Sequence, residues 1–439
     1  LGGGILMRFS WRRRKPAPAP TPVPIVTTTT SSQADMSVTV TFSRVAGEIP
    51  EIANYYVATA AGGGSDSNPG TISQPFLTIQ KAHDTMSAGQ LCYVRGGTYT
   101  LSSIITFTKD GTAGNLFRLW AYPGEIPIID GIDLTGSTAE TGSCIYFNSA
   151  NYWHLKGLEV KRAAYHGLAI YNTSSNNIFE LLNIHHHART AVNDGKGLVV
   201  FNSSASNLIL NCDSHHNRNT DDNDADGFQL STNGTGNIIR GCRAWRNSDD
   251  NFDFFNVAGN SAWLIDNCWS WRAAYDTPIA AGNGNGFKLG GGSPAGGHTI
   301  QNCLSVFNKS NGIIDNGATT GINVYNCATY SNVNSNSYIF LGTSTHVLRN
   351  NYEYNDGFTA AIHASATNDH NSWTLGTTIT DADFQSLVMS QLEGARKADG
   401  SLPDITFLHL VGGSDMIDVG VNVGLPFNGS APDLGPFES

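Results

Sequence analysis

Charged side chains are scarce in this sequence, and long hydrophobic runs are absent from it. Asp, Glu, Lys and Arg together make up 14% of the 439 residues. No run of eighteen apolar residues occurs, so a membrane-spanning helix is excluded on length. The net charge of -11 argues against a nucleic-acid partner. An acidic substrate would therefore need local help from cations, which a bound metal ion could supply.

Cysteine spacings typical of zinc sites are also missing, because the 7 cysteines include no Cys-x-x-Cys pair. Five of them follow Asn or Gly and precede a small Ser, Ala or Thr by two positions: Cys212, Cys242, Cys268, Cys303 and Cys327. A disulfide or metal set is one interpretation of this recurrence. A column of small buried thiols in a repeated core is the other, and it is the one that we predict.

Glycine is abundant, with 48 residues, and the other recurrent small or polar residues are Asn, Ser and Thr, a composition typical of short strands joined by turns. A first short pattern repeats at residues 166–170, 196–200, 226–230, 250–254, 285–289 and 311–315. A second pattern, which ends in the recurring cysteine, lies at 207–212, 237–242, 263–268, 298–303 and 322–327. Two interleaved columns of variable period indicate an all-β solenoid, a parallel β-helix whose coils stack about 4.8 Å apart.

We therefore predict a parallel β-helix domain over residues 53–380, with a strand at 91–94 in its first full coil. A short helix at 76–82 is expected to cap its N-terminal end, and an irregular C-terminal cap, residues 381–439, is expected to cover the open end of the stack. Residues 1–52 form a basic, Pro- and Thr-rich tail with one alternating stretch at 38–42. Whether this tail is a tether or merely disordered stays open.

Polar side chains depart from the repeat between residues 226 and 288. Aligning the copies places Asp226 beside Asp250 and Asp253 beside Lys288, with Asp249 one position before Asp250. Carboxylates this close repel one another unless a cation lies among them. A set of oxygen ligands without His or Cys favours a hard ion, and Ca²⁺ suits it better than Mg²⁺. A purely stabilising Ca²⁺ or a solvated acidic face fits the same pattern equally well.

Three further groups of residues have two interpretations each. The acidic residues 221–224 could add oxygen ligands or form a solvated loop, and the solvated loop is favoured. The histidines at 185–187 and 215–216 could be metal ligands, proton carriers or exposed imidazoles near a groove, but ordinary turn residues are favoured. Trp245, Trp269 and Trp271 could line a sugar-binding groove or cover the surface of the coils, and this choice stays open.

The acidic cluster and its surroundings resemble a known enzyme family. The resemblance lies in Ala225-Asp-Gly-Phe228, Asn247-Ser-Asp-Asp-Asn-Phe-Asp253 and Asn285-Gly-Phe-Lys-Leu289, and in C-terminal sequences at 398–403, 414–418 and 424–435. These segments look like polysaccharide lyase family 9, the calcium-dependent pectate lyase group with a right-handed parallel β-helix. The resemblance covers the chain from about Tyr55 to its end.

This resemblance implies a function and a set of site residues. Asp226, Asp249, Asp250 and Asp253 correspond to the calcium ligands of the family, and Lys288 corresponds to its Brønsted base. The implied activity is calcium-assisted β-elimination on an acidic, uronate-containing polysaccharide such as pectate, which leaves an unsaturated uronate. A lysine base must be neutral, so an alkaline optimum is expected if Lys288 stays protonated near neutrality.

Two rival functions remain open at this point. An inverting glycoside hydrolase on the same scaffold would place a carboxylate pair such as Asp249 and Asp250 around a water molecule. A glycan-binding or adhesion β-helix of a viral particle would need no catalytic group. No secretion signal is legible after the basic run at 12–15, yet we expect a secreted or particle-borne protein. The polymer cleaved, the substrate-binding residues and the oligomeric state do not follow from the sequence.

Overall fold

Three parallel sheets wind around one another in the described part of the chain. The computed structural model describes residues 51–191, 194–255, 261–275, 282–292, 295–333 and 336–439. All but the last two residues of the predicted tail, including the stretch at 38–42, lie outside these ranges. Each complete coil contributes one strand to each of the three sheets, which are described below. Along the chain, a strand of the first sheet is followed by one of the third sheet and then by one of the second. The next coil adds a parallel strand beside each of these.

The first sheet has twelve strands, and five of them lie in the second predicted pattern, just before its recurring cysteine. Its strands are Tyr55–Val57, Leu91–Val94, Phe117–Ala121, Trp153–Lys156, Ile178–Glu180, Leu208–Leu210, Asn237–Arg240, Trp263–Asp266, Thr299–Gln301, Asn323–Tyr325, Val347–Arg349 and Thr367–Asp369. The predicted strand at 91–94 is confirmed.

The second sheet has ten strands and contains the other predicted repeat. Its strands are Ile105–Phe107, Ile145–Asn148, Leu168–Tyr171, Leu198–Asn202, Phe228–Thr232, Phe252–Asp253, Phe287–Lys288, Ile313–Ile314, Tyr338–Phe340 and Ala361–Ile362. Leu198 pairs with Phe228, Phe228 with Phe252 and Phe252 with Phe287, which is the predicted alignment of the copies. The sequence-based alignment therefore had the correct register.

The third sheet follows directly after the cysteine column, and the two-column prediction missed it. Its ten strands are Gly97–Thr100, Pro127–Asp130, Glu159–Lys161, Asn183–His185, Asp213–His215, Arg243–Trp245, Trp269–Trp271, Leu304–Val306, Ala328–Tyr330 and Tyr352–Tyr354. Just before each of the five recurring cysteines, the chain turns at a single residue with a positive φ, such as Asn211, Asn267 or Asn302. A corner this short leaves no turn motif in the sequence, because Asn adopts the left-handed conformation with little strain.

The interior is filled by one apolar column from each strand. All seven cysteines are buried and free of disulfides, which confirms the predicted thiol column. Backbone N–H groups of Cys212 and Cys268 point to the sulfurs of Cys242 and Cys303 in the next coil, each at 3.3 Å. Stacking of identical positions thus supplies both the packing and the polar contacts of the core.

The short helices lie at the ends of the stack or in loops. They span Ile79–Thr85, Ala139–Gly142 and Ser372–Leu375, with 3₁₀ turns at Ala60–Gly62, Asp381–Asp383 and Met389–Glu393. The N-terminal helix begins three residues later than predicted, because Asp66 binds the N–H groups of Leu77 and Thr78 and keeps that segment extended. Thr78 then caps the helix by accepting a hydrogen bond from the Lys81 N–H. Among the described residues, no helix has the length and apolar character needed to span a bilayer.

The C-terminal segment, which we predict as a cap, packs on the β-helix along the outer face of the third sheet. Its apolar residues pack on outward side chains of that sheet: Phe384, Leu392, Leu402, Phe407, Leu410, Met416 and Leu434. Trp245, Trp269 and Trp271 lie beneath them and are at most 2% exposed. An apolar outer face on a sheet has to be covered, so these tryptophans form an inner contact surface and the sugar-groove interpretation is wrong.

Two of the predicted turn histidines are strand residues of the same sheet. The rings of His185, His215, Trp245 and Trp271 stack in order, with centroid distances of 4.9, 4.2 and 4.7 Å. His215 is buried and its Nε2 lies 3.0 Å from Oδ1 of Asn183. The turn interpretation is therefore wrong for His185 and His215, which are part of the packing of the third sheet.

A buried carboxylate fastens the C-terminal segment to the coils. Asp213 is fully buried and pairs with Arg243 at 2.8 Å and with Arg396 at 2.6 Å. Arg243 also donates to the backbone carbonyls of Leu392 and Gly394 at 3.0 and 2.8 Å. Burial alone would raise the pKa of Asp213, but the two arginines outweigh it and hold the pKa below its ordinary value.

We predict that Asp213→Ala lowers the free energy of unfolding by about 3–5 kcal/mol, because it leaves two buried guanidinium groups without a counter-charge. Since the pKa of Asp213 is lowered in the folded state, its stabilisation is present near pH 7 and is lost as the pH falls below about 4. Urea unfolding at both pH values measures the difference. The control Asp404→Ala, at a side chain that is 87% exposed, should change stability by less than about 0.5 kcal/mol. Equal effects of the two substitutions would contradict this prediction.

Candidate active site

Three consecutive strands of the second sheet position the predicted site residues. Phe228, Phe252 and Phe287 stack inside the coils, with ring centroids 5.1 and 4.6 Å apart. Asp253 and Lys288 follow two of these phenylalanines and are paired in register. Because neighbouring side chains of a strand point to opposite faces, the aromatic stack inside the coils fixes the outward positions of Asp253 and Lys288.

All four predicted aspartates are buried, and in each of them Oδ1 accepts a backbone N–H. Asp226 accepts from the N–H of Asp250 at 3.0 Å, and Asp253 accepts from that of Phe255 at 2.6 Å. Asp250 accepts from the N–H of Asn285 at 2.7 Å, and Asp249 accepts from that of Asn283. The side-chain amide of Asn285 donates a second bond to Asp250 Oδ1 at 2.8 Å. Backbone donors therefore orient every carboxylate of the cluster, three of them from the following coil and one, Phe255, from the same coil.

The other oxygens of this cluster suit a divalent cation. Oδ2 of Asp226 and Oδ2 of Asp250 are buried, and the ammonium groups of Lys196 and Lys288 lie 3.4 and 3.0 Å from them. One carboxylate oxygen each from Asp226, Asp250 and Asp253 lie within 4.8 Å of one another. Buried carboxylates need cations close to them, and oxygen-only anionic ligand sets are what Ca²⁺ prefers. The residues present therefore fit the calcium site that the sequence predicts.

The pKa values of these carboxyl groups reflect the crowding of negative charge. Burial, reinforced by the neighbouring carboxylates, raises the pKa of Asp226 and of Asp249 well above the ordinary value, although Lys196 and Lys288 oppose the shift. For Asp253 the pKa is raised to about 6, again by burial first, with Lys288 opposing. A divalent cation among the four would offset the cost of ionising them.

Lys288 lies at the edge of this cluster and borders open space. Its Nζ is 3.0 Å from Asp250 Oδ2 and 3.2 Å from Asp253 Oδ2, and it lies 5.4 Å from the centre of the Phe255 ring. The side chain is 12% exposed and lines a cavity of about 320 Å³ with Asn311 among its other lining residues. Burial would lower the pKa of Lys288, but the surrounding carboxylates raise it well above its ordinary value.

A family model covers most of the described chain. It is described as "Pel9A-like, right handed beta helix region" and matches residues 55–369. Pectate lyase L of Dickeya chrysanthemi is 33% identical over 397 residues, covering 88% of this chain and 90% of that protein. Pectate lyase PEL9 of Emericella nidulans is 32% identical over 378 residues, covering 79% and 90%. This chain belongs to the Pel9A-like β-helix family.

Solved structures of the same kind agree with this membership. The crystal structure of pectate lyase Pel9A is similar with a TM-score of 0.76 at 32% identity, covering 88% of this chain and 96% of that one. A rhamnogalacturonan lyase is similar with a TM-score of 0.69 at 26% identity, covering 82% and 96%. The predicted resemblance, the right-handed parallel β-helix and the enzyme class, a polysaccharide lyase, are thereby confirmed.

In this Pel9A-like protein the five predicted site residues lie together, and two neighbours outside the predicted set, Lys196 and Asp224, lie against them. Lys196 was read only as part of the repeat, although it occupies the same repeat position as Asp226. Asp224, in the stretch expected to be a solvated loop, offers an oxygen within 4.8 Å of those of Asp226 and Asp249. The opposite charges of Lys196 and Asp226, which occupy equal positions in neighbouring repeats, are the sequence signal that predicts their pairing.

Proposed function

We propose that this Pel9A-like polysaccharide lyase cleaves a uronate-containing acidic polysaccharide of the pectate type by calcium-assisted β-elimination, with Lys288 as the Brønsted base. The observation that carries the proposal is the position of Lys288 at the mouth of a cavity, next to Asp250 and Asp253. The relatives named pectate lyase support the choice of substrate. The proposed place of action is outside the cell, where such polymers occur.

The proposed metal ligands are Asp226, Asp249, Asp250 and Asp253. A calcium ion held there would neutralise the substrate carboxylate and stabilise the enediolate charge that develops when the adjacent carbon loses its proton. The protein has a formal charge of -11, so a polyanion would otherwise be repelled. Backbone N–H groups hold Oδ1 of each aspartate, which orients the carboxylates before any cation binds.

Lys288 Nζ accepts the proton from the carbon next to the uronate carboxylate in this proposal. The electron pair of that C–H bond forms a carbon–carbon double bond, and the bond between the next carbon and the glycosidic oxygen breaks. The departing oxygen takes a proton from water and becomes a hydroxyl group, and Lys288 returns its proton to the solvent. The products are an unsaturated uronate at the new non-reducing end and a shortened chain. Lys288 must be neutral to begin this step.

The ion pairs of Lys288 explain how its proton is controlled. With Asp250 and Asp253 free to pair with it, the carboxylates keep the pKa of Lys288 well above its ordinary value. If those oxygens held a divalent cation instead, Lys288 would lose its counter-charges and would keep the burial that lowers its pKa. A lysine that is still partly protonated near neutrality gives an activity optimum on the alkaline side.

Site spacing disfavours the rival glycoside hydrolase. An inverting mechanism needs two carboxyl groups about 6.5–9.5 Å apart to admit a water molecule. Oxygens of Asp226, Asp250 and Asp253 lie within 4.8 Å of one another, and Lys288 lies against two of these groups. A close cluster of acids with a lysine suits metal-assisted proton abstraction better than hydrolysis.

We predict that Lys288→Ala and Lys288→Arg each lower the rate of elimination on polygalacturonate by at least about 100-fold. Arginine keeps the positive charge beside Asp250 and Asp253 but cannot become neutral near physiological pH. The ultraviolet absorbance of the unsaturated product measures the rate, and circular dichroism checks the fold. A Lys288→Arg variant with the wild-type rate would sink the assignment of the base.

We predict that a calcium chelator abolishes elimination and that Asp250→Asn weakens calcium binding by at least about 10-fold, because it removes one charge from an oxygen-only site. Isothermal titration calorimetry measures the binding, and re-addition of Ca²⁺ should restore the wild-type rate. Asp404→Asn, at an exposed carboxylate away from the cluster, is the matched control and should bind as the wild type does. Activity that persists in chelator would remove the metal from the mechanism. The same assay on rhamnogalacturonan tests the substrate class.

A further inference from the structure

A second buried lysine lies directly beside the acidic cluster. Five neighbouring coils of the second sheet pair through equivalent apolar residues. The residues two positions before these apolar residues therefore form a column of their own: His166, Lys196, Asp226, Asp250 and Asn285. Equal positions of successive coils are close neighbours in a parallel stack. Lys196 therefore occupies the position in its coil that Asp226 occupies in the next one.

Lys196 is held on every side. Its side chain is 1% exposed, and its Nζ donates to Asp224 Oδ1 at 2.6 Å and to the Asp224 backbone carbonyl. The same Nζ lies 3.4 Å from Asp194 Oδ1 and 3.4 Å from Asp226 Oδ2. The backbone N–H of Lys196 donates to Nδ1 of His166 at 3.0 Å. This ammonium group thus has a fixed place among three carboxylates.

The acidic cluster offers two overlapping groups of oxygens that share Asp226. One group comes from Asp224, Asp226 and Asp249, and the other from Asp226, Asp250 and Asp253. Two divalent ions that share a carboxylate about 3.5–4 Å apart are a known arrangement in proteins. The ammonium of Lys196 lies against two members of the first group, Asp224 and Asp226.

The two lysines of the cluster differ in their freedom to move. Lys288 lines a cavity and is 12% exposed, so its side chain has room to leave the carboxylates. Lys196 is enclosed and donates to the backbone as well as to side chains. Removing it would leave Asp194, Asp224 and Asp226 without their counter-charge, a costly change at a buried site.

We propose that Lys196 is a positioning residue: a permanent cation beside Asp224 and Asp226 of the first group, so that the cluster takes a single divalent ion, held by the second group together with Asp249, next to Lys288. This inference rests on the proposed function, because it concerns the same metal site. Lys196 orients Asp226 from the side of the neighbouring coil and leaves the carboxylates of Asp250 and Asp253 to the metal ion. Asp224 and Asp194 then act as partners of Lys196 and do not bind the metal.

Calcium titration of the full chain by isothermal calorimetry tests this proposal. We expect one ion in the wild type and two in Lys196→Met, since the neutral side chain leaves the first group, Asp224, Asp226 and Asp249, open to a second ion. The double variant Lys196→Met/Asp224→Asn removes one charge of each sign and should return to one ion. Without calcium, Lys196→Met should melt at a lower temperature than the wild type, and excess calcium should restore most of the loss.

A second variant keeps the test decisive if Lys196→Met does not fold. Asp224→Asn alone should bind one ion with an affinity within about threefold of the wild type, because a partner of Lys196 is lost and no metal ligand is. An affinity lowered by about 10-fold or more would make Asp224 a ligand and overturn the proposal. A folded Lys196→Met that binds one ion with wild-type affinity would also overturn it, while leaving the proposed function intact. A wild type that binds no calcium would instead overturn both.

Discussion

Register between stacked coils is the constraint on which the rest of the structure depends. Each coil adds a parallel strand beside the previous one, and Phe228, Phe252 and Phe287 lock three coils in phase. With that phase fixed, the backbone N–H of one coil meets the carboxylate of the coil before it, as Asp250 N–H meets Asp226. A slip of one residue would turn every side chain to the opposite face. The acidic site is therefore a product of the repeat.

The electrostatic cost of the site is balanced by two lysines in different settings. Lys288 faces a cavity, where we propose that it accepts a substrate proton, whereas Lys196 is enclosed on the side of the preceding coil. Four buried aspartates would repel one another strongly without such cations. In our proposal Lys288 takes part in the reaction, and Lys196 fixes the positions of the carboxylates. Lys288 is the more exposed of the two because it lines a cavity, whereas Lys196 is enclosed.

Much of the fold could be predicted from the sequence because the repeated residues are apolar side chains that face the core. The apolar columns and the cysteine positions gave the coil register and placed Asp226, Asp253 and Lys288 together. The third sheet escaped detection because its outward residues, such as Trp245 and Trp271, are apolar and break the alternation expected of a solvated strand. Those residues meet the C-terminal segment, a long-range contact that no local pattern encodes.

The contribution of Lys196 was hidden for a related reason. A lysine in a repeat copy is ordinarily a solvated side chain, and only the three-dimensional neighbours Asp194 and Asp224 show that this one is buried and paired.

A crystal structure of the calcium-soaked protein tests the central claim most directly. We expect a single ion bound by Asp226, Asp249, Asp250 and Asp253, with Lys288 moved away from Asp250 and Lys196 in place. An ion bound elsewhere, or Lys288 still paired with Asp250 beside a bound ion, would contradict it.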